Sequence, residues 1–391
     1  MRSRKNSIVS SGQVLQWALQ RLLEARLLKD HGWLCTATVV WNVVLRAAAR
    51  LTSVFAACRD LSEAPSQQAV FDALTAGLPR TLQVLEKRLN WALLSVWPSR
   101  LQRCSWQVAI DWHLTPYYGQ PKDSRNELYY GKPKQGTTKF HAYATACITQ
   151  YGQRYTVALT WVRRHEATVT VLRRLLARIR ELGLKIKRLL LDRAFFNVPV
   201  TEYLQGENLP FLMPVMFRGR RPKKRKPIKK GLHWIKRQRA GRYVHTLKNG
   251  KRTVTISVYV AYRTHRNRKD GRHVQQKLLF GAWRVNGSPT EIRERYRKRF
   301  GIESSYRQLR QARIYTCTRD PRLRLVFVAI ALILRNLWVW IHATILAEGS
   351  GPAMTVRLER LRFKQLLDWI AQAVVAVLHD GSMPCVSDDE T

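Results

Sequence analysis

The first hundred residues carry apolar side chains at spacings of three and four, the period of an amphipathic helix. This spacing runs through residues 12–28, 37–59 and 80–97. Ser66 follows Ala64-Pro65 and predicts the N-terminal cap of a short helix over residues 67–74. Residues 1–100 are therefore predicted to be a helical domain. The pattern fits a helix-turn-helix-like DNA-binding unit or a plain helical bundle packed on the rest of the chain.

From Ser105 the pattern changes to short apolar runs that are typical of strands. The first three runs predict an antiparallel meander and cover residues 106–110, 140–149 and 154–161. A helix, a strand, a short helix and another strand are predicted next, over residues 166–182, 188–191, 198–204 and 209–215. This order predicts an α/β fold in which helices flank a mixed sheet.

A basic stretch interrupts the α/β order over residues 217–287. It opens with residues 218–230, of which nine of thirteen are Lys or Arg, and two prolines there disfavour a helix. Alternation over residues 253–262 and a run over 276–283 then predict the strands of a separate β-rich insertion.

Two helices are predicted beyond the insertion, over residues 290–313 and 323–346. The second is apolar nearly all round, which indicates that it is buried in protein. The predicted division of the chain is a helical domain at 1–100, an α/β core at 101–216 and 288–347, a basic β-rich insertion at 217–287, and a C-terminal helical segment with an acidic tail at 348–391.

The net charge of the chain indicates which class of molecule it is expected to bind. The chain has 391 residues with 69 Lys and Arg against 26 Asp and Glu, a formal net charge of +43 that is spread widely. Apolar residues make up 46%, enough to bury cores, so the charge does not indicate a disordered tail. A folded protein with this excess is expected to bind a polyanion, above all nucleic acid.

Two further features bear on location. The longest clean apolar run ends at Leu334 after ten residues, well short of the ~20 that a bilayer crossing needs, so no membrane is expected. The cysteines form no Cys-x-x-Cys pair and no zinc pattern, and we interpret them as reduced and buried. A cytoplasmic, nucleoid-associated location is the expectation.

Acidic residues are few, so their positions are informative. Asp111 ends the run Val108-Ala-Ile-Asp, and Asp192 ends Leu189-Leu-Leu-Asp. Both are predicted at the C-terminal edge of the sheet, on neighbouring strands, where a divalent cation would relieve their mutual repulsion. Each Asp alone is equally consistent with an ordinary turn residue at a strand end.

A third carboxylate lies in the helix predicted from Thr290. Tyr296, Arg299, Glu303 and Arg310 follow one another at offsets of 0, 3, 7 and 14. On one straight helix these offsets place all four within about 60° of one another. A solvated charged face would have the same spacing, but the apolar helix that follows indicates that this one is pressed against the sheet.

Together these motifs resemble the three signatures of DDE transposases of prokaryotic insertion sequences. The matching segments are Ile110-Asp111, Leu191-Asp192-Arg-Ala-Phe-Phe196 and Tyr296-x2-Arg299-x3-Glu303-x6-Arg310. The similar branch of that family has an RNase H-like core, a β-rich insertion and a Tyr-x2-Arg-x3-Glu-x6-Lys motif. This chain has Arg310 where Lys is usual, which keeps the charge but replaces a point donor by a fork.

The resemblance implies an enzyme that cleaves the ends of its insertion sequence and joins the 3′-hydroxyls to target DNA. Asp111, Asp192 and Glu303 would be the catalytic residues and would hold two Mg²⁺ or Mn²⁺ ions. Tyr296, Arg299 and Arg310 would grip the DNA backbone beside the cleaved bond. Because two ends must be joined, a homodimer on double-stranded DNA is expected.

Other DNA contacts are predicted from charge alone. The basic residues Lys223, Lys224, Arg225 and Lys226 are expected to touch phosphates without reading sequence. Lysines and backbone amides in residues 117–139 could hold phosphates too, although a solvated loop fits almost as well. The alternatives to a transposase are a metal-dependent nuclease with the same core and a DNA-binding protein without catalysis.

Overall fold

A computed structural model describes residues 9–94, 100–217, 230–266, 271–348 and 355–379. The N-terminal helices are α1 (Ser11–Glu24), α2 (Ala37–Ala49), α3 (Val54–Arg59), α4 (Gln67–Gly77), α5 (Leu82–Ala92) and α6 (Arg100–Arg103). Ser66 caps α4 as predicted, since its hydroxyl accepts from the Ala69 amide. The helical spacing over 37–59 belongs to two helices, because the chain turns at Leu51 (φ 54°) and Ser53 caps a new helix.

The core follows the predicted order of strands and helices, with one additional strand over Tyr129–Lys134 that was not predicted. Its elements are β1 (Ser105–Pro116), β2 (Tyr129–Lys134), β3 (Thr137–Ile148), β4 (Thr156–Val162), α7 (Thr168–Glu181), β5 (Lys185–Leu191), α8 (Val198–Gly206) and β6 (Phe211–Pro214). β1, β3 and β4 form the predicted antiparallel meander, and β5 and β6 add to it in parallel with β1. The prediction of a mixed α/β sheet flanked by helices is confirmed.

The insertion is joined to the core sheet. After α9 (Leu232–Arg237) it contributes β7 (Gly241–Asn249), β8 (Arg252–Arg266) and β9 (His273–Trp283). β9 pairs antiparallel with β6, from Phe211 opposite Trp283 to Pro214 opposite Phe280, so that one nine-stranded sheet runs β2-β3-β1-β5-β6-β9-β8-β7 with β4 on β3. The prediction of separate strands is corrected here, because without β9 the backbone groups on one edge of β6 would have no partner.

The remaining helices are α10 (Pro289–Arg297), α11 (Phe300–Leu309), α12 (Pro321–Thr344) and α13 (Phe363–His379). By length and composition α12 could cross a membrane, but 89% of its most apolar window is buried inside the fold. Its burial is as predicted, against the N-terminal helices, α13 and β4. Of the cysteines that the structure describes, Cys104 and Cys317 are exposed, which corrects the expectation that all are buried.

The two faces of the sheet bury different residues. On β1, Val108 and Ile110 face the large core with α7 and α12, whereas Ala109 belongs to a smaller core with Leu190 of β5 and Ile302 of α11. Because strand side chains alternate between faces, the positions two beyond Ala109 and Leu190 lie on the α11 face. Those positions are Asp111 and Asp192.

A buried polar side chain of the helical domain forms hydrogen bonds with the core. The Asn90 amide of α5 donates to the Leu159 carbonyl of β4 at 2.7 Å, and its oxygen accepts from the Leu159 amide at 2.8 Å. Asn90→Ala would leave both backbone groups of Leu159 buried without a partner, at about 1–3 kcal/mol each. We expect a loss of roughly 2–6 kcal/mol in urea unfolding. A loss below about 0.5 kcal/mol, the range of exposed sites, would contradict this role.

Candidate active site

Strand register places two carboxylates side by side. β1 runs parallel to β5 with Ile110 opposite Leu191, so the next residues along, Asp111 and Asp192, are neighbours. Asp192 directly follows β5, as predicted. Asp111 lies inside β1 and not at its end, which corrects the prediction, because the pairing with β3 continues from Asp111 to Pro116.

The helix that carries Glu303 is not continuous. Between α10 and α11 the Arg299 amide donates to the Tyr296 carbonyl and the Ile302 amide to the Arg299 carbonyl, both at 2.9 Å. These i to i−3 bonds form a tightened turn. Gly301 lets α11 approach the sheet there, since a Cβ would lie 3.2 Å from the Arg154 side chain. The predicted single helix over 290–313 is therefore wrong.

Arg299 lies at the centre of the predicted triad. Its guanidinium is 2.6 Å from Asp111 Oδ2, 3.7 Å from Asp192 Oδ1 and 3.0 Å from Glu303 Oε1. The first two distances start from the same nitrogen, so the two aspartate oxygens can be no farther apart than their sum. The side chain is only 9% exposed. One cation thus draws three carboxylates from β1, β5 and α11 to a common point.

The pKa values of Asp111 and Arg299 depend on both burial and the charges around them. Burial raises the pKa of Asp111 to about 6, Arg299 works against that rise, and the nearby Asp192 adds to it. Burial lowers the pKa of Arg299, but Asp111 and the other negative neighbours outweigh burial and raise it. Three acids around one guanidinium leave an excess of negative charge, which a further cation would neutralise.

Two tyrosines fix the backbone around the carboxylates. Tyr296 donates from Oη to the Leu191 carbonyl at 3.2 Å, next to Asp192. Tyr306 of α11 makes the matching contact with the Asp111 carbonyl at 3.1 Å. Sequence reasoning missed Tyr306, although its place three residues after Glu303 puts it on the same side of α11.

The other predicted site residues are placed differently. Arg310 follows the last turn of α11, is exposed, and lines a cavity with His113 instead of approaching the carboxylates. Lys223, Lys224, Arg225 and Lys226 lie outside the described residues. His113 packs its ring 5.1 Å from that of Tyr306, and burial together with nearby cations lowers its pKa to about 4. The DNA contacts predicted for Arg310, Lys223, Lys224, Arg225 and Lys226 stay predictions.

A wide basic groove adjoins the carboxylates on the insertion side. Its volume is about 1220 Å³, and it lies between β8, β9, α10 and the residue after Asp192. Its cations are Lys132, Arg193, Lys236, Arg263, Lys277, Arg293 and Arg297. Glu294 is the acidic residue among the described residues that line it, and Tyr296 and Phe300 lie where it meets the triad. We call this cavity the basic groove.

The three carboxylates fit a hard divalent cation by ligand type. As they stand they surround Arg299, and within the described ranges no three Asp, Glu, His or Cys side chains are arranged to hold an ion. An ion held by all three carboxylates would compete with the Arg299 guanidinium for them. Asp111, Asp192 and Glu303 are the side chains that would hold it.

The chain thus combines a mixed sheet, three clustered acids and an adjoining basic groove. Residues 102–337 match the family described as the transposase DDE domain, and the chain belongs to this family. A solved structure with a similar fold is the cryo-EM structure of a piggyBac transposase synaptic complex with hairpin DNA. That similarity covers 98% of this chain and 84% of the other, with a TM-score of 0.54 and 12% identity. A search of curated proteins gave no match.

Proposed function

We propose that the protein is a DNA transposase of an insertion sequence that cleaves the ends of its element and joins the 3′-hydroxyls to target DNA. The observation that carries the proposal is the convergence of Asp111, Asp192 and Glu303 on one point beside the basic groove. The transposase DDE domain assigned to residues 102–337 supports it, and so does the fold shared with a transposase solved on DNA.

In this proposal each part of the site has a task. The basic groove holds the backbone through its cations, so the phosphodiester to be cut lies over the carboxylates. Two Mg²⁺ or Mn²⁺ ions, held by Asp111, Asp192 and Glu303, would activate the attacking water or 3′-hydroxyl and stabilise the leaving oxygen. With ions held by the carboxylates, Arg299 would be available to bind a phosphate as a two-pronged donor.

End cleavage should depend on an added divalent cation. Purified protein with DNA from the flanks of its gene, bordered by inverted repeats, is expected to cleave in Mg²⁺ or Mn²⁺ and to be inactive in excess EDTA. The assay follows labelled strands on a denaturing gel. Cleavage in EDTA at an undiminished rate would refute the two-ion proposal.

Strand transfer separates a transposase from a nuclease with the same core. Pre-cleaved ends with a free 3′-hydroxyl should become covalently joined to a supercoiled target plasmid when the cation is added. Ends that lack the 3′-hydroxyl serve as the matched control, because they bind equally well and have no nucleophile. We further propose a homodimer on double-stranded DNA and a cytoplasmic, nucleoid-associated location.

A further inference from the structure

A second basic cavity lies beside β1. Its volume is about 170 Å³, and it is bounded by β1, the turn after β2, the end of α11 and the first half of α12. Its cationic lining residues are Lys134, Arg310, Arg313 and Arg324. The described residues that line it include no Asp or Glu. We call it the β1 cavity.

These cations are positioned without acidic partners. Arg324 is 8% exposed, donates from Nε to the Thr318 carbonyl at 2.7 Å and lies over the Tyr117 ring. Lys134, Arg310 and Arg313 form no ion pair with any acidic side chain in the described part of the chain. Thr115 adds a hydroxyl that is buried without a hydrogen-bond partner. Four positive charges and a spare hydroxyl around one space favour an anion.

The β1 cavity and the basic groove lie at opposite ends of α11. Phe300, the first residue of this helix, lines the groove, whereas Leu309, its last, lines the cavity. Glu303 lies between them on a helix about 15 Å long. On β1 the cavity begins at His113, two residues beyond Asp111. The carboxylates thus separate two basic cavities.

The volume of the β1 cavity limits which anions it can enclose. A volume of 170 Å³ is below the roughly 300–1,000 Å³ of pockets that enclose whole small molecules. It is room for about five water molecules, which one phosphate group with its free oxygens can fill. The ligand class is therefore a single phosphate group and not a nucleotide with its base.

We propose that the β1 cavity binds one phosphodiester of the DNA strand, on the far side of the scissile bond from the basic groove. The inference rests on the proposed function, because it takes the strand over the carboxylates as given. Arg310 lies seven residues from Glu303, about 10 Å along the helix. Because the strand winds about the duplex axis, its successive phosphates lie farther apart than the 3.4 Å axial rise, so about 10 Å places the bound phosphate roughly one or two nucleotides from the cleaved one.

The test neutralises one phosphate at a time. Element ends that carry a single methylphosphonate at successive positions are titrated in EDTA with the full chain and with Arg313→Ala. One or two nucleotides from the scissile phosphate, on the side away from the groove, the unmodified chain should lose about tenfold in affinity, as expected for one charge-assisted hydrogen bond. Arg313→Ala should bind the unmodified ends about tenfold more weakly and lose nothing further at that position.

Arg307→Ala is the matched control, because Arg307 is an exposed cation of α11 that lines neither cavity. It should leave the methylphosphonate loss unchanged, and Lys134→Ala, which removes the cation that β2 contributes to the cavity, should remove the loss as Arg313→Ala does. Losses confined to the groove side of the scissile bond, or the same loss in Arg313→Ala as in the unmodified chain, would overturn the inference.

A second measurement separates DNA from a free anion. If inorganic phosphate raises the unfolding midpoint of the unmodified chain more than that of Arg313→Ala, while no methylphosphonate position depends on Arg313, the cavity binds free phosphate and the DNA assignment is overturned. The binding assays contain no divalent cation, so they do not depend on catalysis. Cleavage of unmodified ends in Mg²⁺ tests the proposed function on its own.

Discussion

Asp111→Asn, Asp192→Asn and Glu303→Gln are each expected to reduce end cleavage by on the order of 10³-fold or more. Each change keeps the shape of the side chain but removes one of three charges that converge within 3.7 Å of Arg299. A metal site that loses one of its few protein ligands gives up several kcal/mol of transition-state stabilisation, and each 1.36 kcal/mol is tenfold in rate. DNA affinity should stay the same or rise, because negative charge beside the phosphates is removed.

Single-turnover cleavage of element ends at saturating protein and Mg²⁺ measures this effect, with affinity determined separately in EDTA. Glu294→Gln is the matched control, since Glu294 lines the basic groove and pairs with Arg293 but touches none of the three carboxylates. Its cleavage rate should stay within a few-fold of the unmodified rate. A variant of Asp111, Asp192 or Glu303 that cleaves at the unmodified rate would remove that residue from the triad.

The strands and helices of the core could be predicted because each is specified by residues that are close together in the sequence. The apolar runs before Asp111 and Asp192 specify strands whatever lies elsewhere in the chain, and the acidic residue after each run is visible in the sequence. That the two strands are parallel neighbours followed from the order of elements alone. The neighbouring positions of Asp111 and Asp192 could therefore be predicted without any structure.

Contacts between distant segments could not be predicted in this way. The insertion strands carry an alternating pattern that any strand neighbour would satisfy, so nothing in residues 253–262 or 276–283 specifies β6 as the edge they extend. The sequence gives no signal for the turn at Arg299 either, since Lys298, Arg299 and Phe300 have adequate helix propensities. It results from packing, where Gly301 meets the end of β3.

The role of Arg299 shows the same limit at the site. Its spacing from Glu303 predicted a shared helix face, and that ion pair is present at 3.0 Å. Its contacts with Asp111 and Asp192 depend on a side chain that crosses to two strands far away in sequence. The family resemblance implied that Arg299 grips DNA, and the structure shows its guanidinium in contact with all three carboxylates.

Removal of Arg299 should consequently have opposite effects on ion binding and on cleavage. Without DNA, Arg299→Ala is expected to bind Mn²⁺ about tenfold or more tightly than the unmodified chain, because the ion no longer displaces charge-assisted hydrogen bonds that contribute about 1.5–3 kcal/mol each. With DNA and saturating ion, cleavage should fall by on the order of 10²-fold, because the backbone beside the scissile bond is less well positioned.

Mn²⁺ binding followed by electron paramagnetic resonance and single-turnover cleavage measure the two effects separately. Both should be done near pH 8, because Arg299 holds down the pKa of Asp111, about 6 in its presence, and protons would otherwise compete with the ion. In both assays Arg299→Lys should lie between the unmodified chain and Arg299→Ala, since a lysine keeps the charge but not the two-pronged donor of arginine. Arg310 forms no ion pair with the three carboxylates, so Arg310→Ala should leave Mn²⁺ affinity unchanged. Equal or weaker Mn²⁺ binding by Arg299→Ala would show that the guanidinium and the ion do not compete for the carboxylates.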